Sequence, residues 1–187
     1  MRQYQTNVFG PLYIIQAVLP SMRSRKSGTI VNVSSFVGQF GGPAGGLYAS
    51  SKFALEGLTE SLRAETSEFG ISWLLPEFGA FRTNFLNKDA FASPTKGFPS
   101  GYEGTEAEKH FSALSQWDRK QPGDPLKGVE RLFEVITGTG KAAGVKDKVL
   151  RVMIGGDSVE VVRNKIKDLQ HDLDVSKGLE DADSTAA

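Results

Sequence analysis

Apolar side chains recur every three or four residues between 7 and 22, at Val8, Leu12, Ile15, Val18, Leu19 and Met22. That spacing predicts a helix with one broad apolar face. Pro11 suits its first turn, where a backbone donor has no helical partner in any case. The period changes over Gly28-Thr29-Ile30-Val31-Asn32-Val33-Ser34-Ser35, a β-branched run that predicts a short buried strand. A glycine-rich loop from Gly38 to Gly46 follows, and helical spacing returns over residues 47–68 through Leu47, Ser51, Leu55, Leu58 and Leu62. Ile71 to Leu75 reads as a second strand, ended by Pro76.

Helix, strand, helix, strand in this order favours parallel strands joined by right-handed crossovers, which places the chain in the α/β class. Residues 84–122 break the pattern. Phe85, Phe91, Phe98, Tyr102, Phe111 and Trp117 are scattered there among prolines, glycines and charges. The stretch is too long for an ordinary connection, and it is expected to be either an aromatic-rich substrate lid or a satellite core. Val129 to Ile136 predicts a further amphipathic helix and Val149 to Ile154 a third strand. The expected organisation is one unit over residues 1–160, then a polar helix and a disordered acidic tail over 161–187.

The 187 residues carry 22 basic and 22 acidic side chains. No overall positive field draws the chain to nucleic acid or to an anionic membrane. With no cysteine, disulfides and thiolate metal sites are excluded. His110 and His171 stand far apart, so no histidine metal site is expected. The start is polar and no apolar run approaches the roughly 20 residues of a membrane span, which predicts a soluble protein with the cytoplasm as default location. The Arg23-Ser24-Arg25-Lys26 cluster reads as a solvated turn.

Chemistry concentrates in Tyr48-Ala49-Ser50-Ser51-Lys52 and in Ser35 at the end of the first strand. Positions i and i+4 share one side of a helix, so Tyr48 and Lys52 can face one pocket. A neighbouring ammonium favours phenolate and is expected to lower the Tyr48 pKa toward neutrality. Tyr48 is then an acid and base, and the Ser35 hydroxyl a donor to a substrate oxygen. Ser34 reads as a strand residue outside this group.

These residues and their surroundings resemble the short-chain dehydrogenase/reductase family. The similar stretches are Asn7-Val8-Phe9-Gly10, Gly28 through Ser35, Gly38, the Tyr48–Lys52 pentapeptide, Ala54-Leu55-Glu56-Gly57-Leu58 and Gly79-Ala80-Phe81-Arg82-Thr83. The resemblance implies an incomplete Rossmann-like, doubly wound parallel sheet and a ketone/alcohol oxidoreductase using NAD or NADP. It implies catalytic roles for Ser35, Tyr48 and Lys52, and a proton relay through the backbone of Asn7, a residue that equally suits a helix cap. Tyr48, Lys52 and Thr83 are implied as cofactor contacts, although Thr83 equally suits the cap of a following helix. A small apolar or aromatic carbonyl or alcohol is the implied substrate, and helices 7–22 and 47–68 are the implied homodimer surface.

Two departures stand out. Phe78-Gly79 replaces the family's Pro-Gly, and Pro76 stands where a β-branched residue is usual. The glycine-rich strand-to-helix turn that holds the pyrophosphate does not precede Asn7. The chain by itself is therefore expected to be inactive and to bind neither dinucleotide. An incomplete gene model or a fragment is the expected explanation, and a non-catalytic remnant acting as an interaction partner is the alternative.

Overall fold

The computed structural model describes residues 2–87 and 98–179. The chain starts as α1 (Arg2–Tyr4), widens into a π-turn at Gln5–Phe9 and continues as α2 (Gly10–Arg25). The side chains expected on the apolar face, from Val8 to Met22, are all buried or half-buried. Two strand pieces follow, β1 (Gly28–Val31) and β2 (Ser34–Ser35), then α3 (Gly46–Glu65) and β3 (Ile71–Phe78). The second half contains α4 (Glu106–Gln116), α5 (Pro125–Thr137), β4 (Arg151–Ile154) and α6 (Gly156–Val175).

Every strand pairing is parallel, and β3 is the centre of the sheet. β1 and β2 pair with the same side of β3 in one continuous register, Val31 opposite Leu74 and Ser34 opposite Glu77. They are one strand interrupted at Asn32 and Val33. β4 lies on the other side, with Leu75 opposite Arg151. This is the expected α/β sheet, with helices on both faces.

Pro76 does not end the second strand, as the sequence reading expected; β3 continues two residues beyond it. The register explains how the proline is accommodated. The Leu75 N–H points to β4 and donates to the Leu150 carbonyl at 2.7 Å. Amides alternate sides along a strand, so the Pro76 nitrogen faces the gap between β1 and β2, where a missing donor costs least.

One core cluster joins Ile15, Ile30, Ile71 and Trp73 beneath α2 and α3; the other joins Leu74, Val135 and Ala142 beneath α5. Successive residues of β3 thus supply opposite layers, as strand alternation requires. Two buried polar groups of this layer are paired: Trp73 Nε1 donates to Thr66 Oγ1 at 2.9 Å, and Asn32 Nδ2 to Thr59 Oγ1 at 2.8 Å. α5 is longer than the expected 129–136. Asp124 caps it by accepting from Leu126 N, Pro125 opens its first turn, and Gly138 closes it at φ 72°.

α6 begins before residue 161 and is anchored to the sheet, because Ser158 Oγ donates to the Glu77 carbonyl at 2.8 Å. Within the excursion, α4 is helical and Phe98 meets Phe111 edge-on at 5.4 Å. Phe91 and the tail from residue 180 lie outside the described residues. No helix among the described residues is long and apolar enough to cross a membrane.

Candidate active site

The interruption between β1 and β2, the first turn of α3 and the end of β3 meet at one place. Ser35 closes β2, is buried, and donates through Oγ to the Phe78 carbonyl at 3.3 Å. Tyr48 stands in the first turn of α3, half-buried. Lys52 follows one turn later, with Nζ 5.8 Å from the centre of the Tyr48 ring. That ammonium donates to the Val33 carbonyl at 2.8 Å. Asn32 N–H donates to the Leu74 carbonyl, so the carbonyl of the next residue points away from β3, and a cation from the neighbouring helix satisfies it.

The Tyr48 pKa moves opposite to the sequence expectation. Burial raises it, and the Ser35 hydroxyl lowers it by a smaller amount, so the phenol is held above its ordinary value. The Lys52 charge does not reverse this, since the ammonium is directed at Val33 and lies over the ring. Burial lowers the Lys52 pKa, and the Glu56 carboxylate one turn along α3 opposes that shift. A phenol beside a serine hydroxyl can exchange a proton with a bound oxygen, which suits interconversion of a carbonyl and an alcohol.

Asn7 lies inside the π-turn and does not cap a helix. Its Nδ2 donates to Ser51 Oγ at 3.1 Å, and that hydroxyl donates to the Tyr48 carbonyl at 2.7 Å. Pro11 has no N–H, so it cannot donate to the Asn7 carbonyl one turn earlier. Asn7 is thereby tied to the base of the Tyr48 turn while its backbone oxygen lacks the usual helical donor. A groove of about 410 Å³ runs between α2 and the outer edge of β1, with Asn7, Asn32, Val33 and Lys52 among its walls.

Thr83 is exposed and caps the short turn Asn84–Leu86, its Oγ accepting from Phe85 N at 3.3 Å. The cap reading of Thr83 therefore holds, and its hydroxyl hydrogen is left for another acceptor. The turn brings Phe85 against Tyr48, ring centres 5.3 Å apart. The sequence reading placed Phe85 in the excursion and missed this contact, because no local period signals it. Phe78, in the family's proline position, packs edge-on against Phe81 at 5.4 Å.

Tyr48 and Lys52, on α3 beside the ends of β2 and β3, could hold the nicotinamide and ribose end of a dinucleotide, and Thr83 lies five residues beyond the end of β3. The pyrophosphate is a different matter. β4 passes through Gly155-Gly156 into α6, but Asp157 occupies that helix start. Its Oδ1 accepts from Ser158 N at 3.0 Å and its Oδ2 from Ala80 N at 2.6 Å. A carboxylate already holding those donors repels a phosphate.

A family model described as short chain dehydrogenase matches residues 1–91. The oxidoreductase BOA17 of Botryotinia fuckeliana is 32% identical over 158 residues, covering 84% of this chain and 54% of its own. An uncharacterized oxidoreductase of Schizosaccharomyces pombe is 42% identical over 173 residues, covering 88% of this chain and 65% of its own. Among solved structures, a short-chain dehydrogenase from Streptomyces avermitilis superposes with a TM-score of 0.77 at 32% identity, over 97% of this chain and 62% of that one. The chain thus spans between half and two thirds of the length of these proteins.

Proposed function

The chain belongs to the short-chain dehydrogenase/reductase family, and from that premise we propose that it carries the proton-transfer centre of a ketone or aldehyde reductase dependent on NAD or NADP. The observation that supports this reading best is the half-buried Tyr48 flanked by Ser35 and Lys52. A nicotinamide dinucleotide, when bound, supplies the hydride. The Ser35 hydroxyl donates a hydrogen bond to the substrate oxygen and stabilises charge as it develops there. Tyr48 gives its proton to that oxygen, and the Lys52 ammonium favours the phenolate left behind. Asn7, held to the Tyr48 turn through Ser51, offers its backbone carbonyl to hold a water that links Lys52 to solvent and carries the replacement proton.

Phe85 beside Tyr48 offers an apolar wall that suits a small apolar or aromatic carbonyl. The α6 start, held by Asp157, does not offer the pyrophosphate its donors, and the chain alone is proposed to be inactive. The test is hydride transfer by the complete protein over a panel of ketones and alcohols with each dinucleotide. Removing the Ser35 hydroxyl (Ser35→Ala) is expected to lower kcat about 10²-fold, the scale of one oxyanion donor. An unchanged kcat contradicts the assignment.

A second reading rests on exposed apolar groups. Tyr13 and Ile14 on α2, and Leu47 and Phe53 on α3, face solvent. Such a surface suits a second copy of the chain, whether or not the centre is catalytic. Light scattering at micromolar concentration tests this, and a strict monomer contradicts it.

A further inference from the structure

Four elements converge on a buried polar cluster one helical turn beyond Lys52. Glu56 on α3 is 2% exposed and Glu77 on β3 is 0% exposed. Ser34 Oγ donates to Glu56 Oε1 at 2.5 Å, and Arg151 Nε, on β4, donates to Glu56 Oε2 at 2.8 Å. The same Nε lies 3.3 Å from Glu77 Oε1, while Arg151 Nη2 lies 2.7 Å from Glu60 Oε1. Gln39 Nε2 is shared between the buried carboxylates, 2.5 Å from Glu56 Oε2 and 3.1 Å from Glu77 Oε1. Glu77 Oε2 is buried with no hydrogen-bond partner among the described residues.

One guanidinium therefore serves three carboxyl groups, two of them buried. Two adjacent carboxylates that are both ionised and desolvated repel each other; one proton held between them leaves a single negative charge for Arg151 to balance. The donors are distributed unequally, since Ser34, Gln39 and Arg151 all approach Glu56 at 2.8 Å or less. That makes Glu56 the ionised member and Glu77 the acid. Burial first, and then the Glu56 charge, push the Glu77 carboxyl up to about 7, against the downward pull of Gln39 and Arg151.

The cluster is coupled to the active site at both ends of one loop. Gln39 lies on the segment that leads from Ser35 to Tyr48, just after the short turn Phe36–Gly38. At Gly38 a Cβ would overlap Glu56 Oε1 and come within 2.8 Å of Ser34 Oγ, so the loop approaches the carboxyl pair as closely as a chain can. Ser34 precedes Ser35, and Glu77 precedes Phe78, whose carbonyl receives the Ser35 hydroxyl. We propose that Glu77 is a positioning residue for the Ser35–Tyr48–Lys52 centre: as a carboxylic acid it leaves Glu56 as the single buried negative charge on which Ser34, Gln39 and Arg151 converge, and so keeps the Ser35–Tyr48 loop against the strand ends. This inference rests on the proton-transfer function proposed for that centre.

The charges acting on Glu77 are Glu56 from α3 and Arg151 from β4. α3 also carries Lys52, Glu60 and Arg63, and α6 carries Asp157 beside the Ser158 that bonds the Glu77 carbonyl; β1, β2 and the Phe36–Gly38 turn carry no ionisable side chain. Loss of the Glu77 proton sets a second negative charge against Glu56 and loosens the loop.

The experiment uses the complete protein and its Glu77→Gln variant, which keeps the shape and removes the titration. Infrared spectra of protein with isotope-labelled glutamate are expected to show a protonated carboxyl band that fades as pH rises through about 7 in the wild type and is missing in Glu77→Gln. Hydrogen exchange, corrected for its intrinsic pH dependence, is expected to show protection of residues 36–46 falling over the same range in the wild type only. kcat/KM is expected to fall with that step in the wild type and to lack it in Glu77→Gln. Absence of the band in the wild type, its survival in the variant, loop protection insensitive to pH, or identical pH profiles each overturn the proposal. Complete lack of turnover with the band and the protection step intact overturns the proposed function and leaves the acid pair standing.

Discussion

The Lys52 ammonium donates to the Val33 carbonyl across 2.8 Å, at the two-residue gap that divides one strand line into β1 and β2. The lysine thus has a structural partner as well as a place beside Tyr48. Replacing it by methionine keeps much of the stem and removes the donor. In the complete protein Lys52→Met is expected to raise the KM for the dinucleotide and to lower kcat, with kcat/KM down about 10²-fold or more. Steady-state kinetics with the dinucleotide varied checks this; an unchanged kcat with a raised KM would confine Lys52 to binding.

Gly38 is required by space and not by backbone conformation. A Cβ there would enter the room taken by Glu56 Oε1 and Ser34 Oγ, and both side chains are held by further bonds. Gly38→Ala is expected to destabilise the fold by roughly 1–3 kcal/mol, the usual scale for overpacking. Urea unfolding measures it. Gly46, where a Cβ meets nothing within 4 Å, is the control; it opens α3, so its replacement by alanine is expected to be nearly neutral.

The same cluster predicts a pH effect on stability. The Glu77 pKa is raised in the folded chain from 4.5 to about 7, so the native state binds this proton more tightly than the unfolded one. Its stabilisation is complete below about pH 4.5 and is lost as pH rises to about 7 and above. The loss is on the order of 3 kcal/mol at most. Unfolding free energies of wild type and Glu77→Gln, compared from pH 5 to pH 8, are expected to change in favour of the variant as pH rises. A constant difference contradicts the shift.

Local sequence signals carried much of this far. Periodicity located α2, α3 and the three strand lines, and the i, i+4 spacing placed Tyr48 and Lys52 on one side of α3 opposite Ser35. What local patterns missed depends on partners distant along the chain. Pro76 reads as a strand terminator until its register against the Val33 gap is known. The Tyr48 pKa depends on burial and on where Lys52 points, and neither is visible in a pentapeptide. Ser34 reads as an ordinary strand residue, yet it bonds Glu56, twenty-two positions on. Arg151 meets Glu56 across ninety-five positions, brought together by the parallel pairing of β3 with β4 and the packing of α3 on the sheet. Glu77 and Phe85 were passed over for the same reason.

The central claim, that Tyr48 is the acid that protonates the substrate, is tested most directly by single-turnover hydride transfer in the complete protein, Tyr48→Phe against wild type. The phenylalanine ring retains the packing against Phe85 and removes only the hydroxyl. The account predicts a rate lower by about 10²-fold or more, with dinucleotide affinity retained. A variant that keeps more than about a tenth of the wild-type rate, a loss of no more than roughly 1.4 kcal/mol in the barrier, would contradict it.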